Sequence, residues 1–207
     1  MKELQNYAAI LVAAGLSSRF GQDDKLLTEI CGAPLLSWSL KPLLSAGLGW
    51  IVIVTGENDE QVRSLCQDLQ VTFVNNPNPS SGIGASIAIG AGAIREKIKD
   101  VFICLGDMPL IPPFIFQDLA NMLAAVEGTD AAAPVHNGKR GHPVLFHRRH
   151  LAALQSLSGD EGARSILKTP GFHMAEQRVQ DAGVLIDLDR LEHRSDIEQR
   201  VKQVFGI

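Results

Sequence analysis

A glycine turn followed by two cationic side chains lies near the start of the chain. The apolar run at residues 8–13 leads into Ala14 and Gly15, and Arg19 and Lys25 follow shortly after. Small residues let the backbone approach a ligand and direct its N–H groups at an anion, and two fixed positive charges suit a polyphosphate. The spacing matches neither a Walker A loop nor a dinucleotide-binding fingerprint. The segment predicts a phosphate cradle, the alternative being a glycine turn with two solvated cations.

Three aspartates are candidate ligands of a divalent cation. Asp107 stands in the sequence Gly-Asp-Met-Pro directly after an apolar run. A carboxylate at the end of a strand suits Mg²⁺, which favours one or two carboxylates with phosphate oxygens and water, although aspartate is also common in ordinary turns. Asp187 and Asp189 are two residues apart, which places both on one face of a strand. Asp189 is a candidate supporting ligand, the alternative being a pair of solvated or capping aspartates.

The segment Ser-Gly-Ile-Gly-Ala-Ser at residues 81–86 precedes a run of small residues that predicts a helix. Backbone N–H groups at a helix start, with hydroxyls and glycines nearby, can hydrogen-bond a base or a phosphate. Ser81, Gly82 and Ser86 are therefore candidate nucleotide contacts. The structural alternative is that Ser81 or Ser86 caps the helix, and both roles can coexist.

The hydrophobic pattern predicts alternating strands and helices. Predicted strands occupy residues 8–13, 50–54, 71–74, 101–105, 131–134, 144–146, 172–175 and 184–187. Predicted helices occupy residues 34–46, 59–69, 85–97, 113–125, 150–157, 161–167 and 194–204. The alternation predicts an α/β fold, a three-layer, doubly wound and mostly parallel sheet. In such sheets ligands bind beyond the carboxyl ends of the strands, where the candidate segments fall.

Composition excludes several other classes of protein. A length of 207 residues with 45% apolar residues is typical of one globular domain. A net charge of −4 disfavours general nucleic-acid binding. Cys31, Cys66 and Cys104 form no CxxC pair and indicate reduced thiols. The first apolar stretch is too short for a membrane span and lacks the charge pattern of a signal peptide, so we expect a cytoplasmic protein that binds neither nucleic acid nor membrane.

The first loop resembles the signature loop of nucleotidyltransferases that activate small phosphorylated acceptors. Its pattern over residues 13–25, Ala-Ala-Gly-x-Ser-x-Arg-Phe-Gly-x-x-Asp-Lys, is similar to that of the molybdenum cofactor nucleotidyltransferases, which usually have Met in place of Phe20. Ala14 matches the cytidylyl-transferring branch, whereas the guanylyl branch typically has a second glycine there. The resemblance implies a Rossmann-like fold of the nucleotide-diphospho-sugar transferase type. It also implies Mg²⁺-dependent transfer of a cytidylyl group from CTP to a molybdopterin-type cofactor with release of pyrophosphate, and a client molybdoenzyme as a further partner.

The same resemblance implies a role for each candidate residue. It makes Arg19, Lys25 and Asp107 catalytic, and it makes Asp107 and Asp189 the metal ligands. The nucleotide would be bound by Ala13, Ala14, Gly15, Lys25, Ser81, Gly82 and Ser86. The motifs Arg-Gly-His-Pro and Gly-Asp-x-Gly-Ala-Arg resemble stretches on the acceptor side of the cytidylyl-transferring branch, which gives Arg140, Gly141, His142 and Arg164 as acceptor contacts. The implied division of the single domain is a nucleotide-binding half at residues 1–110 and an acceptor-binding half at residues 111–207.

Several alternatives stay open at this stage. The chain departs from the family pattern after Asp189, where Arg-Leu-Glu-His replaces Thr-Pro-Glu-Asp. The rival functions are guanylyl transfer to the same cofactor, nucleotidyl transfer to a sugar phosphate or to methylerythritol phosphate, and non-catalytic carriage of the cofactor. An NAD(P) oxidoreductase is disfavoured because its phosphate loop is missing. A metal site formed by His142, His147 and His150 is disfavoured because their spacing crosses a predicted strand and a helix start.

Overall fold

A computed structural model describes residues 4–15 and 24–207 of the chain. Its strands are β1 Tyr7–Ala13, β2 Glu29–Ile30, β3 Ala33–Pro34, β4 Trp50–Thr55, β5 Thr72–Asn75, β6 Asp100–Leu105, β7 Ala131–His136, β8 Lys139–Arg140, β9 Val144–His147 and β10 Met174–Arg178. Its α-helices are α1 Leu35–Ser45, α2 Asp59–Leu65, α3 Ile83–Gly92, α4 Phe114–Ala125, α5 Leu151–Gln155, α6 Arg164–Leu167 and α7 Arg194–Phe205. Within the described ranges, no helix is long and apolar enough to span a membrane.

The main sheet has the strand order β10-β7-β9-β6-β1-β4-β5, and β2 and β3 form a separate two-stranded ribbon. Strand β1 lies between β4 and β6 and is parallel to both. Strand β9 is antiparallel to both of its neighbours, β6 and β7. The predicted α/β class and the mostly parallel sheet are confirmed. The carboxyl ends of β1 and β6 meet at the point where the chain switches from one side of β1 to the other, which is where open α/β sheets bind ligands.

Strand β1 is buried on both faces, and its residues alternate between two hydrophobic clusters. Ala8 and Ile10 pack in a cluster with residues of α3, α5 and α6, whereas Ala9 and Leu11 pack in a cluster with residues of α1, α2, α4 and α7. A continuous apolar run is what a strand covered by helices on both faces requires. Helices on the two faces therefore enclose the sheet and give the three layers.

The structure differs from the predicted elements in both halves of the chain. In the first half, α3 ends at Gly92 rather than near residue 97, and the β2–β3 ribbon was not predicted. The predicted strand at residues 184–187 is wrong, because the chain forms a 3-10 turn at Ala182–Leu185 that begins with Asp181 accepting a 2.7 Å hydrogen bond from the Gly183 N–H. The hairpin between β7 and β8 was not among the predicted elements. Asn137 and Gly138 both have positive φ there, 49° and 75°, as a two-residue type I′ turn requires. The hairpin reverses the chain and leads it into β9.

Candidate functional site

The end of β1 offers its backbone to a ligand. The side chains of Ala13 and Ala14 are buried, whereas Gly15 is exposed and has open space where a Cβ would stand. A ligand at this edge would therefore meet main-chain atoms rather than side chains. Arg19, the first cation of the predicted cradle, lies outside the described residues.

Lys25 is held in place by its neighbours in a short 3-10 turn, Lys25–Leu27. Asp24 begins the turn and accepts a 2.8 Å hydrogen bond from the backbone N–H of Leu26. The Leu26 side chain is buried in the hydrophobic core, with only 4% of its surface exposed. The fixed turn directs the lysine side chain across the carboxyl edge of the sheet.

The Lys25 ammonium reaches Asp107, which follows β6. The distance from Lys25 Nζ to Asp107 Oδ2 is 2.7 Å, and the two side chains are only 16% and 22% exposed. Lys25 Nζ also lies 3.7 Å from an oxygen of Asp189, whose side chain is 48% exposed. Asp107 is fixed because the preceding residue, Gly106, extends the sheet by donating a 2.9 Å hydrogen bond to the Val12 carbonyl oxygen of β1. The structure thus brings Lys25, Asp107 and Asp189 together.

Asp187 joins the same cluster. Each of Asp107, Asp187 and Asp189 offers a carboxylate oxygen, and these oxygens all lie within 4.8 Å of one another. Between the two C-terminal aspartates, Leu188 is fully buried and donates a 3.0 Å backbone hydrogen bond to the Asp107 carbonyl oxygen. Burial, together with the charges of Asp107 and Asp189, raises the pKa of the Asp187 carboxyl. The segment is therefore anchored so that its two aspartates face Asp107, although it forms no strand.

This donor set fits a hard divalent cation. Mg²⁺ and similar ions take oxygen ligands and accept one or more carboxylates together with phosphate oxygens and water. The three carboxylate oxygens are close enough to bind one ion. Because the Asp189 side chain is 48% exposed, phosphate oxygens and water could reach the same ion. Asp107 and Asp189 could hold the ion as the resemblance implies, and Asp187 lies close enough to be a third oxygen donor. Its signal was the two-residue spacing from Asp189.

The serines of the 81–86 segment are occupied within the protein. The Ser81 hydroxyl donates a 2.6 Å hydrogen bond to the Asn78 carbonyl oxygen, and the buried Ser86 hydroxyl accepts a 3.0 Å hydrogen bond from the side-chain amide of Asn76. Neither serine caps α3, since the N-cap residue is Gly82 and no described side chain provides a cap bond. The helix-capping alternative is therefore wrong. The two serines instead fix the loop between β5 and α3, next to the carboxyl edge.

Gly82 brings two of the sequence motifs together. Its φ is +94°, and a Cβ at this position would overlap the backbone of Gly159 and the Asp160 carboxylate. The N–H of Gly84 donates a 2.8 Å hydrogen bond to the Gly159 carbonyl oxygen. The start of α3 therefore packs backbone to backbone on the Gly-Asp-Glu-Gly turn of the second half. Sequence alone could not pair these distant segments.

A cleft of about 570 Å³ opens beside this contact, on the α3 face of the sheet. Its apolar lining includes Ile83, Ile87, Ile103, Leu105, Val144 and Phe146 from α3, β6 and β9, and Leu167 from α6. Its polar rim contains Arg140, His142, Arg164, Lys168 and Glu161, among others. All four predicted acceptor residues, Arg140, Gly141, His142 and Arg164, line this one cleft. The lining draws on both halves of the chain, and Leu105 places it next to Asp107.

The Arg-Gly-His-Pro motif occupies the connection between β8 and β9. A Cβ on Gly141 would overlap the Val184 carbonyl, and the His142 N–H donates a 2.9 Å hydrogen bond to that same oxygen. Arg140 forms an exposed 3.0 Å ion pair with Glu176. His142 Nδ1 is buried and finds no hydrogen-bond partner among the described residues. Burial lowers the pKa of the His142 imidazole, which keeps the ring neutral near pH 7.

The three histidines have separate surroundings. His150 Nε2 lies 2.6 Å from the carboxylate of Asp130, and His147 Nδ1 accepts a 3.1 Å hydrogen bond from the N–H of Arg149. His142 instead lines the cleft. The three rings therefore do not converge on one metal site, and of the three only His142 lines the candidate site.

The chain is similar in sequence and in fold to several known proteins. A family model described as a MobA-like NTP transferase domain matches residues 9–179. Molybdenum cofactor cytidylyltransferase from Escherichia coli K12 is 26% identical over 94% of this chain and 97% of its own length. The bifunctional protein GlmU from Rhizorhabdus wittichii is 32% identical over 70% of this chain, and the match spans 32% of that longer protein. Among solved structures, Rv0371c from Mycobacterium tuberculosis H37Rv has a TM-score of 0.81 at 21% identity, covering 93% of this chain and 97% of that one.

Proposed function

The chain belongs to the MobA-like NTP transferase domain family, and we propose that it transfers a cytidylyl group from CTP to a molybdopterin-type cofactor. The observation that supports this reaction best is the position of the acceptor cleft. The cleft is lined by all four predicted acceptor residues, Arg140, Gly141, His142 and Arg164, and it adjoins the Lys25–Asp107 pair. A nucleotide held at that pair and an acceptor in the cleft would meet at the same sheet edge.

In the proposed reaction an oxygen of the acceptor phosphate attacks the α-phosphorus of CTP. A phosphorus–oxygen bond forms to the acceptor, the bond between the α-phosphorus and the bridging oxygen breaks, and pyrophosphate leaves with that electron pair. A phosphate is already ionised near neutral pH, so no strong general base is needed. The protein's contribution is positioning and charge neutralisation. Lys25, with Arg19, would offset negative charge on the α-phosphate and on the leaving group.

The nucleotide would lie along the carboxyl ends of β1 and β5. The exposed backbone at Gly15, after the buried Ala13 and Ala14, provides N–H groups without a side chain in the way. Ser81, Gly82 and Ser86 shape the facing loop and border the base and ribose in this proposal. Mg²⁺, held by Asp107 and Asp189 with Asp187 beside them, would neutralise phosphate charge and orient the triphosphate.

The chemistry of the cleft favours a planar, anionic acceptor over a sugar. Its floor of isoleucine, leucine, valine and phenylalanine side chains offers no hydrogen-bond partner to the hydroxyls of a sugar, which only the polar rim could satisfy. A fused heteroaromatic ring can pack on such a floor. Arg140 and Arg164 at the rim suit the phosphate and dithiolene groups of a molybdopterin. A client molybdoenzyme would receive the product.

A second candidate is nucleotidyl transfer to another small phosphorylated acceptor. It is favoured by the similarity to GlmU and by a 2-C-methyl-D-erythritol 4-phosphate cytidylyltransferase from Prochlorococcus marinus NATL2A, 30% identical over 61% of this chain and 57% of its own length. The first loop and Asp107 would serve such a reaction equally. The apolar floor of the cleft is the feature that separates the two candidates.

One experiment distinguishes the candidates. The purified protein is supplied with Mg²⁺ and each nucleoside triphosphate in turn, and the acceptor is molybdenum cofactor, a sugar phosphate or methylerythritol phosphate. Released pyrophosphate is measured for each pair, first with molybdenum cofactor. We expect release with CTP. Preference for GTP would assign the guanylyl reaction, release only with a sugar phosphate or methylerythritol phosphate as acceptor would assign the second candidate, and no release with any pair would indicate a cofactor carrier.

A further inference from the structure

The Lys25 ammonium lies among the carboxylates that would hold a metal ion. Its Nζ is 2.7 Å from Asp107 and 3.7 Å from Asp189, and both aspartates belong to the three-carboxylate cluster. The lysine side chain is only 16% exposed, so it is packed in this position rather than extended into solvent. One positive charge thus already neutralises part of the cluster.

A divalent cation and the Lys25 ammonium repel each other if both bind the same carboxylates. An ion on Asp107 and Asp189 would stand within a few ångströms of the lysine charge, and like charges at that separation repel strongly in a partly buried site. Metal binding therefore requires the ammonium to move to another anion. In the proposed reaction that anion is the triphosphate of CTP.

We propose that Lys25 acts as an internal counter-ion that excludes free divalent cations from the Asp107–Asp189 site and yields the site when a nucleotide triphosphate binds. The inference rests on the proposed function for the identity of the nucleotide, and on the distances from Lys25 Nζ to Asp107 and Asp189 for the competition. Because linkage is reciprocal, a triphosphate that withdraws the ammonium raises the affinity for the metal, and the metal raises the affinity for the triphosphate. The site would then take up its ion together with the nucleotide.

A purely structural ion pair predicts the opposite result for one substitution. If Lys25 only held Asp107 in position, replacing the lysine would loosen the carboxylate and weaken metal binding. If Lys25 competes with the metal, the same replacement exposes the carboxylates and strengthens metal binding in the absence of nucleotide. The sign of the change separates the two accounts.

The test titrates the full chain with Mn²⁺ alone, followed by the electron paramagnetic resonance signal of the free ion. We expect Lys25→Met to bind Mn²⁺ on the order of tenfold more tightly than the unsubstituted protein. Lys25→Arg, which keeps the charge, and Lys202→Met, which removes one charge from the exposed surface of α7, should both match the unsubstituted protein. Circular dichroism and the thermal unfolding midpoint verify that each variant is folded.

Two outcomes would overturn the inference. One is a Lys25→Met protein that is folded and binds Mn²⁺ no more tightly than the unsubstituted chain. The other is retention of the tighter binding in a Lys25→Met, Asp107→Asn double variant, because the ion would then lie elsewhere. A separate titration with CTP at saturating Mn²⁺ should show weaker CTP binding by Lys25→Met. Failure of the unsubstituted protein to bind CTP would contradict the proposed function, while the Mn²⁺ titration would still decide the role of Lys25.

Discussion

Lys25 and Asp107 are 82 residues apart in the chain, and their charged groups are 2.7 Å apart in the structure. Each side chain follows a strand, β1 or β6, and these two strands are parallel neighbours in the sheet. The pair therefore stands at the point where the sheet order switches, where ligands bind in this class of fold. Had the two groups pointed into separate regions, a shared nucleotide site would have been excluded.

Lys25→Ala should lower turnover with CTP and cofactor on the order of 10²–10³-fold. The ammonium would offset charge that develops on the phosphates in the transition state, so its loss should affect kcat more than the KM for the acceptor. Steady-state pyrophosphate release measures both parameters. Unchanged turnover in a folded Lys25→Ala protein would remove Lys25 from the catalytic residues.

Arg164→Ala should raise the KM for the acceptor roughly 10- to 100-fold while leaving the KM for CTP unchanged, because a charge-assisted contact contributes about 1.5–3 kcal/mol. Arg164 lies on the rim of the cleft and is exposed. Arg200→Ala is the matched control, since Arg200 forms a 2.9 Å ion pair with Asp196 on the surface of α7. Equal effects of the two variants on the acceptor KM would contradict the assignment of the cleft.

Local patterns in the sequence predicted the parts of the site that depend on single strands. A continuous apolar run identifies β1, because a strand covered by helices on both faces needs apolar residues at every position. Lys25 follows that strand in the sequence and was therefore expected at the carboxyl edge of the sheet. The spacing of Asp187 and Asp189 predicted that both would lie on one side of a strand, but their approach to Asp107 has a different cause, the backbone hydrogen bond from Leu188 to Asp107. The strand predicted around them was not formed, since the chain has a capped 3-10 turn there and only one backbone bond to Asp107.

Contacts between distant segments could not be predicted in the same way. Nothing in the sequence near Gly82 indicates that its backbone meets Gly159, because that contact depends on how α3 and the 158–164 turn pack together. The hairpin that aims Arg140 and His142 into the cleft was different, since Asn137-Gly138 is a strong turn signal by itself. The antiparallel insertion of β9 follows from that turn.

Gly82→Ala should destabilise the protein by about 1–3 kcal/mol, because the added methyl group would overlap the Gly159 backbone at a positive φ. Urea unfolding measures the free energy. The control is Gly92→Ala at the end of the same helix, where nothing lies within 4 Å of the added carbon. That change should be neutral or stabilise the protein by up to about 1 kcal/mol. A similar loss in both variants would contradict the destabilising role of the contact with Gly159.

Protonation of Asp130 should lower the free energy of unfolding at acidic pH. Burial of its carboxylate opposes ionisation, but hydrogen bonds from the His173 N–H at 2.7 Å, from His150 and from Arg149 outweigh it and lower the pKa of Asp130 from 3.8 to about 2. Because the folded pKa lies below the unfolded value, the ionised group stabilises the protein above pH 4, and this stabilisation is lost as the pH falls towards 2. The shift corresponds to about 2 kcal/mol. Between pH 5 and pH 2, the free energy of unfolding should therefore drop by about that much more in the unsubstituted protein than in Asp130→Asn. Parallel pH profiles from urea unfolding of the two proteins would contradict this account.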